Sequence, residues 1–413
     1  MSNELKKNLT QTASRRFIDG FANHMVALQY VDRQILEGLY NAKSGDTVTM
    51  KVPTQYKGVD LMNRANGAMT SADIESIETG TISAKINHFD GLALQWDKIE
   101  EALEADQLDE LLKPATRKLV SRLEDKIFFE AMVGAAGMTG DPTDAAKIMK
   151  SWLDMREVKA YFTKIGSPDL RPNAFLDPDV FTSISSDVKT SFNPDIVGEA
   201  IREYYGGRLA GVDTFETMYT GVFDGTAPAK GALAAETTFA YKDLDDANQC
   251  VITLKTAANV KRGQKFTIAG VNAINQENKR TITTGSGQNK LQVFTVVKDS
   301  TGTSLTVSPA LIGSSDEAHQ NVSAPGAADA VVTFIDLKDR APSIIWQPDA
   351  LAVAFVPLKP VSTAEGYTAK QDGVSIRAQK QGDVMGNTDT LRFDVMAAIK
   401  VIDPLKIVLG FGQ

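Results

Sequence analysis

DKIEEALEADQLDELLKPATRKLVSRLEDKIFFEAMVG, from Asp97 to Gly134, carries the strongest helical signal in the chain, and its neighbours are read outward from it. The first part, Asp97–Lys113, sets Ile99, Leu103, Leu108, Leu111 and Leu112 in an acidic background. After Pro114, the apolar residues Ala115, Leu119, Leu123, Ile127 and Met132 recur at about four-residue steps, the spacing of one helix face. Arg117, Lys118 and Arg122 line another face. Proline cannot donate an interior helix hydrogen bond, so Pro114 is expected to kink the helix or to begin a new one. A helix of about 20 residues is roughly 30 Å long, enough to act as the spine of a domain. The carboxylates between Asp97 and Glu110 could in principle do acid–base work. At helical spacing they fit a solvated face better, or a face that meets a basic neighbour.

Upstream, residues 11–40 read as an interrupted helix in which Phe17, Ile18, Phe21, Met25, Leu28, Ile35, Leu36 and Leu39 form an apolar stripe. Two accounts of the stripe stay open: a helix pair in the chain's own core, or a terminal arm that docks on a neighbouring chain through Phe17 and Phe21. TVTMKVP (Thr47–Pro53) alternates as a strand, and TISAKINHFDGLALQW (Thr81–Trp96) resumes strand character. Residues 54–80 between them are polar and glycine-dotted without a period. A loop of that length is usually functional.

Downstream, residues 142–220 alternate as α/β. Helices are expected over Ala145–Phe162, Asp179–Ser185 and Pro194–Tyr204, with strands at Asn173–Leu176 and Gly211–Tyr219. Residues 221–340 shift to Thr, Val, Gly, Ser and Asn, with short strands at Cys250–Leu254, Lys265–Ala269, Leu291–Val297 and Ser304–Ser308. Such spacing suggests a small barrel or sandwich. The closing stretch, Ile344–Gln413, is strand-dominated: Leu351–Pro357, Val374–Gln379, Leu391–Val401 and Lys406–Phe411.

Composition narrows the function classes. The 413 residues are 43% hydrophobic and 23% charged, an ordinary globular balance. No apolar run approaches the roughly 20 residues that span a bilayer, and the first residues carry charge where a signal peptide needs an apolar core. The expected setting is therefore a cytosol. The net charge of −8 disfavours affinity for nucleic acid gained from phosphate counterion release.

No common catalytic motif is present: G-x-x-x-x-G-K-[ST], H-E-x-x-H and G-x-S-x-G are all missing. Cys250, the single cysteine, excludes a disulfide framework. As a nucleophile it would need His319 as base. It sits among β-branched residues, though, and reads as an inert strand-core thiol, while His319 reads as part of a polar loop. His24, His88 and His319 share no ligand spacing. Asp243, Asp245 and Asp246 crowd one turn that lacks the glycine and glutamate of a calcium loop. No metal or cofactor is expected.

The order of segments, together with three matches within it, resembles a known family. CVITLKTAANVKRGQKFTIAGVNAI (Cys250–Ile274) resembles the insertion-domain core of coat proteins of short-tailed double-stranded-DNA phages, P-twenty-two type. RRFIDGFANHMVALQYVDRQILEG (Arg15–Gly38), SGDTVTMKVP (Ser44–Pro53) and the run from Ile99 to Arg122 form a second match. GVSIRAQKQGDVMGNTDTLRFDVMAAIKVIDP (Gly373–Pro404) is a third. The force of these matches is their collinearity over most of the chain.

The resemblance implies the α+β Hong Kong ninety-seven-type capsid fold with an inserted antiparallel β-barrel. Its parts map as N-terminal arm 1–44, E-loop with flanking P-domain strands 45–96, and P-domain spine helix 97–141. The first part of the A-domain follows at 142–220, the inserted barrel at 221–340 and the A- and P-domain closing strands at 341–413. It implies a structural capsid subunit that is not an enzyme, assembling with itself as pentamers and hexamers in an icosahedral shell. Scaffolding protein, portal protein and packaged double-stranded DNA without sequence specificity are the further partners, with no membrane. Assembly is expected in the bacterial cytoplasm, with the virion as destination.

Candidate subunit contacts are Phe17 and Phe21 on the arm, Lys57 and Arg64 on the E-loop, and the carboxylates of Asp243, Asp245 and Asp246 on the barrel. Lys57 lies where some relatives of the wider fold cross-link their subunits, a step the short-tailed group lacks. Three other accounts stand beside this one: an encapsulin-like compartment shell, a hydrolase using Cys250, and a β-rich adhesin.

Overall fold

The computed structural model describes residues 15–21, 25–35, 47–51, 54–56, 58, 62, 68–70, 80–97, 108–140, 148–167, 169–191, 205–218, 221–284, 287–315, 317–362, 364–383 and 388–411. The chain divides into two compact units. One comprises Met1–Val48, Ala84–Glu130 and Leu351–Val401; the other comprises Thr49–Ser83, Ala131–Ala350 and Ile402–Gln413.

The first unit is built on the strand Thr388–Val401, whose burial alternates along its amino-terminal half and becomes nearly continuous in the AAIKV half. One edge pairs with His88–Asp97; the other takes Val374–Asp383 and then Leu351–Phe355. Glu365–Gln371 completes that side through a two-residue turn at Asp372-Gly373. Both turn residues have positive φ (48° and 81°), the conformation that matches the twist of a tight hairpin.

The stretch read as one interrupted helix over 11–40 divides. Residues 15–21 are helical and Ala27–Tyr30 form one 3-10 turn, but Asp32–Ile35 is a strand. It lies parallel to Leu351–Phe355, residue against residue. That buried strand has a bare edge, and covering it outweighs the local helical spacing.

The long helix runs Leu108–Gly134 without a break at Pro114. Pro114 lies on the exposed face, so the carbonyl that it leaves unbonded is on the solvent side. The expected helix start at Asp97 is corrected: Asp97 ends the strand His88–Asp97, and residues 98–107 lie outside the described residues. The single strand expected over Thr81–Trp96 is two, Thr81–Lys85 and His88–Asp97. At the junction, Asn87 binds the backbone of Ile399 with both ends of its amide, accepting at 3.0 Å and donating at 3.1 Å.

Among the described residues, the second unit holds most of a two-stranded sheet, Thr47–Lys51 with Thr81–Lys85, and two six-stranded ones. One has the order Gly137–Thr139, Ile407–Phe411, Pro342–Trp346, Asn173–Leu176, Val212–Glu216, Tyr205–Leu209. Two helices accompany it. Trp152–Ile165 begins at a capping box in which Ser151 and Asp154 satisfy each other's backbone N–H, and ends at Gly166 with φ 101°. The helix expected from Ala145 therefore starts later, because the cap holds Ser151 extended. Pro178–Ser191 is longer than expected, and Tyr205–Leu209 is an extra strand. The helix expected at Pro194–Tyr204 lies outside the described residues.

The other sheet is antiparallel, in the order Cys250–Thr253, Ser304–Ser308, Leu291–Val296, Lys265–Asn272, Val331–Phe334, Gly231–Ala232. Its ends meet. Leu233 bridges Leu254, Ala234 N–H donates to Thr253 O at 2.9 Å, and Lys255 N–H donates to Ala232 O at 2.9 Å. The sheet thus closes into a six-stranded barrel filled by Ile252, Phe266, Ile268, Phe294, Val296 and Leu305.

Candidate assembly surfaces

Phe17 and Phe21 point into their own subunit. Both are fully buried, and the Phe17 ring stacks on Phe393 with centroids 4.0 Å apart and planes 9° from parallel. Their helix packs against the long helix, with Gly20 beside the Thr116 side chain. Of the two accounts of this stripe, the core helix is the one the packing bears out for these rings; neither has a face left to dock on a neighbour.

The 54–80 excursion behaves differently. Tyr56, Met62 and Met69 are 62%, 93% and 60% exposed. Gln55 is tied down by Lys279, whose Nζ donates to its Oε1 at 3.1 Å and to Gln320 O at 3.1 Å. Burial pushes the Lys279 ammonium down to about 8. Lys57 and Arg64 lie outside the described residues.

The acidic turn is anchored from behind. Tyr241 stacks on His319 at 3.6 Å, Ala247 N–H donates to Thr81 O at 3.2 Å, and Asn248 donates to Ile402 O. Asp246 caps the turn by accepting from Asn248 N–H at 3.2 Å. Asp243 and Asp245 are left exposed, while Asp246 is half-buried. His319 is buried, which corrects its reading as part of a polar loop: the face of Tyr241 covers its ring. Among the described residues, no three His, Cys, Asp or Glu side chains gather as metal ligands.

Cys250 is buried in the barrel wall, its sulfur accepting from Leu311 N–H at 3.4 Å. Burial pushes the thiol up to about 12, so it stays protonated at neutral pH. A groove of about 630 Å³ runs beside Tyr161, Lys164, Asp154, Glu157, Lys290 and Ile282. Three of its charged groups are engaged elsewhere: Asp154 serves the helix cap, Lys164 donates to Thr283 O, and Lys290 donates to Met138 O from above the Tyr161 ring.

Two charged clusters were missed in the sequence: their strand members look like any alternating polar residue, and the partner of Arg122 on the long helix lies on the separate strand His88–Asp97. Arg377, Arg392 and Gln379 converge on the buried Asp394. Arg122 grips Asp90 with two nitrogens at 2.8 and 2.9 Å.

A family model described as "P22 coat protein - gene protein 5" matches residues 1–412. The chain belongs to the P22 coat protein family. The major capsid protein of Acyrthosiphon pisum secondary endosymbiont phage 1 is 26% identical over 430 residues, covering 98% of each chain. Among solved structures, the capsid of cyanophage P-SCSP1u aligns with TM-score 0.46 and 8% identity over 94% of this chain and 88% of that one. The capsid of Ralstonia phage GP4 aligns with TM-score 0.45 and 10% identity over 93% and 87%. The assignment rests on the family model, and these structural likenesses add nothing to it. As a member of this coat protein family, the chain is a phage major capsid protein of the α+β capsid class, a structural subunit and not an enzyme. The compartment-shell alternative is not favoured. No helix among the described residues is long and apolar enough to cross a membrane.

Proposed function

We propose that this coat protein closes into an icosahedral shell of pentamers and hexamers in the host cytoplasm. It does so around a separate scaffolding protein and a portal, and the shell then holds double-stranded DNA without sequence contacts. The observation that carries the reading of 54–80 as an E-loop laid over a neighbour is the exposure of Tyr56, Met62 and Met69 among its described residues. Apolar side chains held open on a polar segment are what a surface covered by another copy presents before assembly. Lys57 and Arg64 belong to the same segment as contacts. Asp243 and Asp245, presented by a turn fixed from behind, are the barrel's contact with a basic neighbour. Single exposed pairs contribute under about 1 kcal/mol, so such a contact acts through repetition around the shell.

The test is negative-stain electron microscopy of the protein expressed alone and together with its neighbouring genes. Closed shells of uniform diameter with scaffold, and spirals or open sheets without it, are expected. A monomer under both conditions would overturn the reading. Purified shells, boiled and reduced, should run as monomers on a denaturing gel, because Lys57 forms no cross-link; a ladder would refute that part.

A further inference from the structure

Lys265 opens the barrel strand Lys265–Asn272, yet only 1% of the residue is exposed. Its Nζ lies 3.0 Å from Met132 O, 3.1 Å from Val133 O, 2.5 Å from Ala135 O and 2.7 Å from Thr295 Oγ1. Thr295 spends its own hydrogen on Ala135 O at 2.9 Å, so it offers Lys265 a lone pair. The ammonium is therefore surrounded by four oxygens.

Three of these oxygens belong to the end of the helix Leu108–Gly134 and the residue just beyond it. The last carbonyls of a helix have no N–H partner within it and form the negative pole of its dipole. A cation in the last turn commonly answers them, and this helix has no basic residue there. Lys265 supplies that cation from the barrel. An ammonium brings three N–H donors and no lone pair, whereas a neutral amine would turn its lone pair against a carbonyl. Four acceptors with no competing donor thus select the charged form. Burial pulls in the opposite direction, lowering the pKa of the group.

We infer that Lys265 is a latch: the barrel lends its buried ammonium to the unfinished end of the long helix, so the last helical turn is ordered only when the barrel is formed. The inference concerns the single subunit and does not depend on how the shell assembles.

The test uses the purified full-length subunit refolded from urea. Lys265→Ala removes the three carbons and nitrogen of n-propylammonium. In this variant the folding equilibrium should fall by at least about tenfold, as for other lost charged hydrogen bonds. Amide hydrogen exchange at residues 128–136 should rise. Added n-propylammonium should recover most of both losses, while n-propanol, with the same shape and no charge, should not. Lys265→Met keeps the packing of the stem and removes the charge, and should show the same local exchange.

Equal rescue by propanol and propylammonium would reduce Lys265 to a space-filler and overturn the latch. So would a Lys265→Met protein with wild-type exchange at residues 128–136. Failure of both variants to refold in any of these solutions would also count against it, because a defect limited to one helix end leaves the rest of the subunit foldable.

Discussion

Arg377 places two guanidinium nitrogens on one oxygen of Asp394, Nη2 at 2.6 Å and Nε at 3.1 Å, from directly across an antiparallel pair. Arg392 takes the other oxygen at 2.6 Å, and Gln379 adds a bond of 3.2 Å. The Asp394 side chain is wholly buried. On its other flank the registered residue is Gly91, where an added Cβ would come within 2.5 Å of Asp394 Oδ1. The glycine in this strand is thus the space that the carboxylate needs.

Removing one partner of a buried ion pair costs more than the pair contributes, because a charge is stranded. Asp394→Ala should lose about 3–5 kcal/mol in urea unfolding. Gly91→Ala should destabilise in the same direction through the clash. A double variant, Asp394→Ala with Arg377→Ala, that falls well short of the summed single losses would show that the two residues act as a unit.

Phe17 stacked on Phe393 makes a core prediction in place of an assembly one. Phe17→Ser should lower the stability of the isolated subunit by about 3–5 kcal/mol or more, as large truncations of buried rings do. Circular dichroism melting of the monomer measures it. A variant with an unchanged melting curve that nevertheless fails to assemble would restore the docking-arm account.

Cys250 should resist thiol reagents in the native subunit at pH 8 and react at once in urea. Its folded pKa of about 12 lies above the ordinary value of 9.0. Below pH 9 the thiol is protonated in both states and contributes no pH dependence. Above it the unfolded chain releases the proton first, so this group's contribution to stability falls as pH rises toward 12. Cys250→Ser should assemble normally.

Glu124 is buried and accepts from Val26 N–H at 2.7 Å and Ala27 N–H at 3.0 Å, holding the start of the 3-10 turn. Glu124→Ala strands two buried donors and should cost about 2–4 kcal/mol, whereas Glu124→Gln keeps an acceptor. Burial raises the pKa of this carboxyl above 4.5, with the two N–H donors pulling the other way. The folded state therefore holds the proton longer, and this group's contribution declines as pH rises from about 4.5 through the folded value. The Gln variant should gain on the wild type over that range; an unfolding midpoint difference constant with pH would contradict it.

Legibility in the sequence followed where the signal was local. Asn173–Leu176 and Ser304–Ser308 match their expected bounds to the residue, since β-branched or apolar runs flanked by turn formers leave little choice. The face of Leu119, Leu123 and Ile127 is likewise buried. Asp32–Ile35 was not legible, because its strand form comes from a partner at Leu351–Phe355, remote in the chain. Glu365–Gln371, polar and mostly open on an outer edge, carries no alternation to read. The Ser151-to-Asp154 spacing was a readable helix start that pattern alone assigned several residues early. The exposure of Asp243 and Asp245 could be read from the polar turn that carries them. The inward role of Phe17 could not, since an apolar stripe reads alike whether its partner is the same chain or another.

The barrel is entered at Gly231–Ala232 and left at Val331–Phe334, two strands that pair with each other. Chain going in and chain coming out are therefore neighbours, so the roughly hundred residues between them begin and end at the same edge of the barrel. A short linker could span that gap and leave the surrounding α/β sheet its own strand order. What no linker would restore is the positive charge at the end of the long helix, and any minimised version of this subunit would have to supply it from elsewhere.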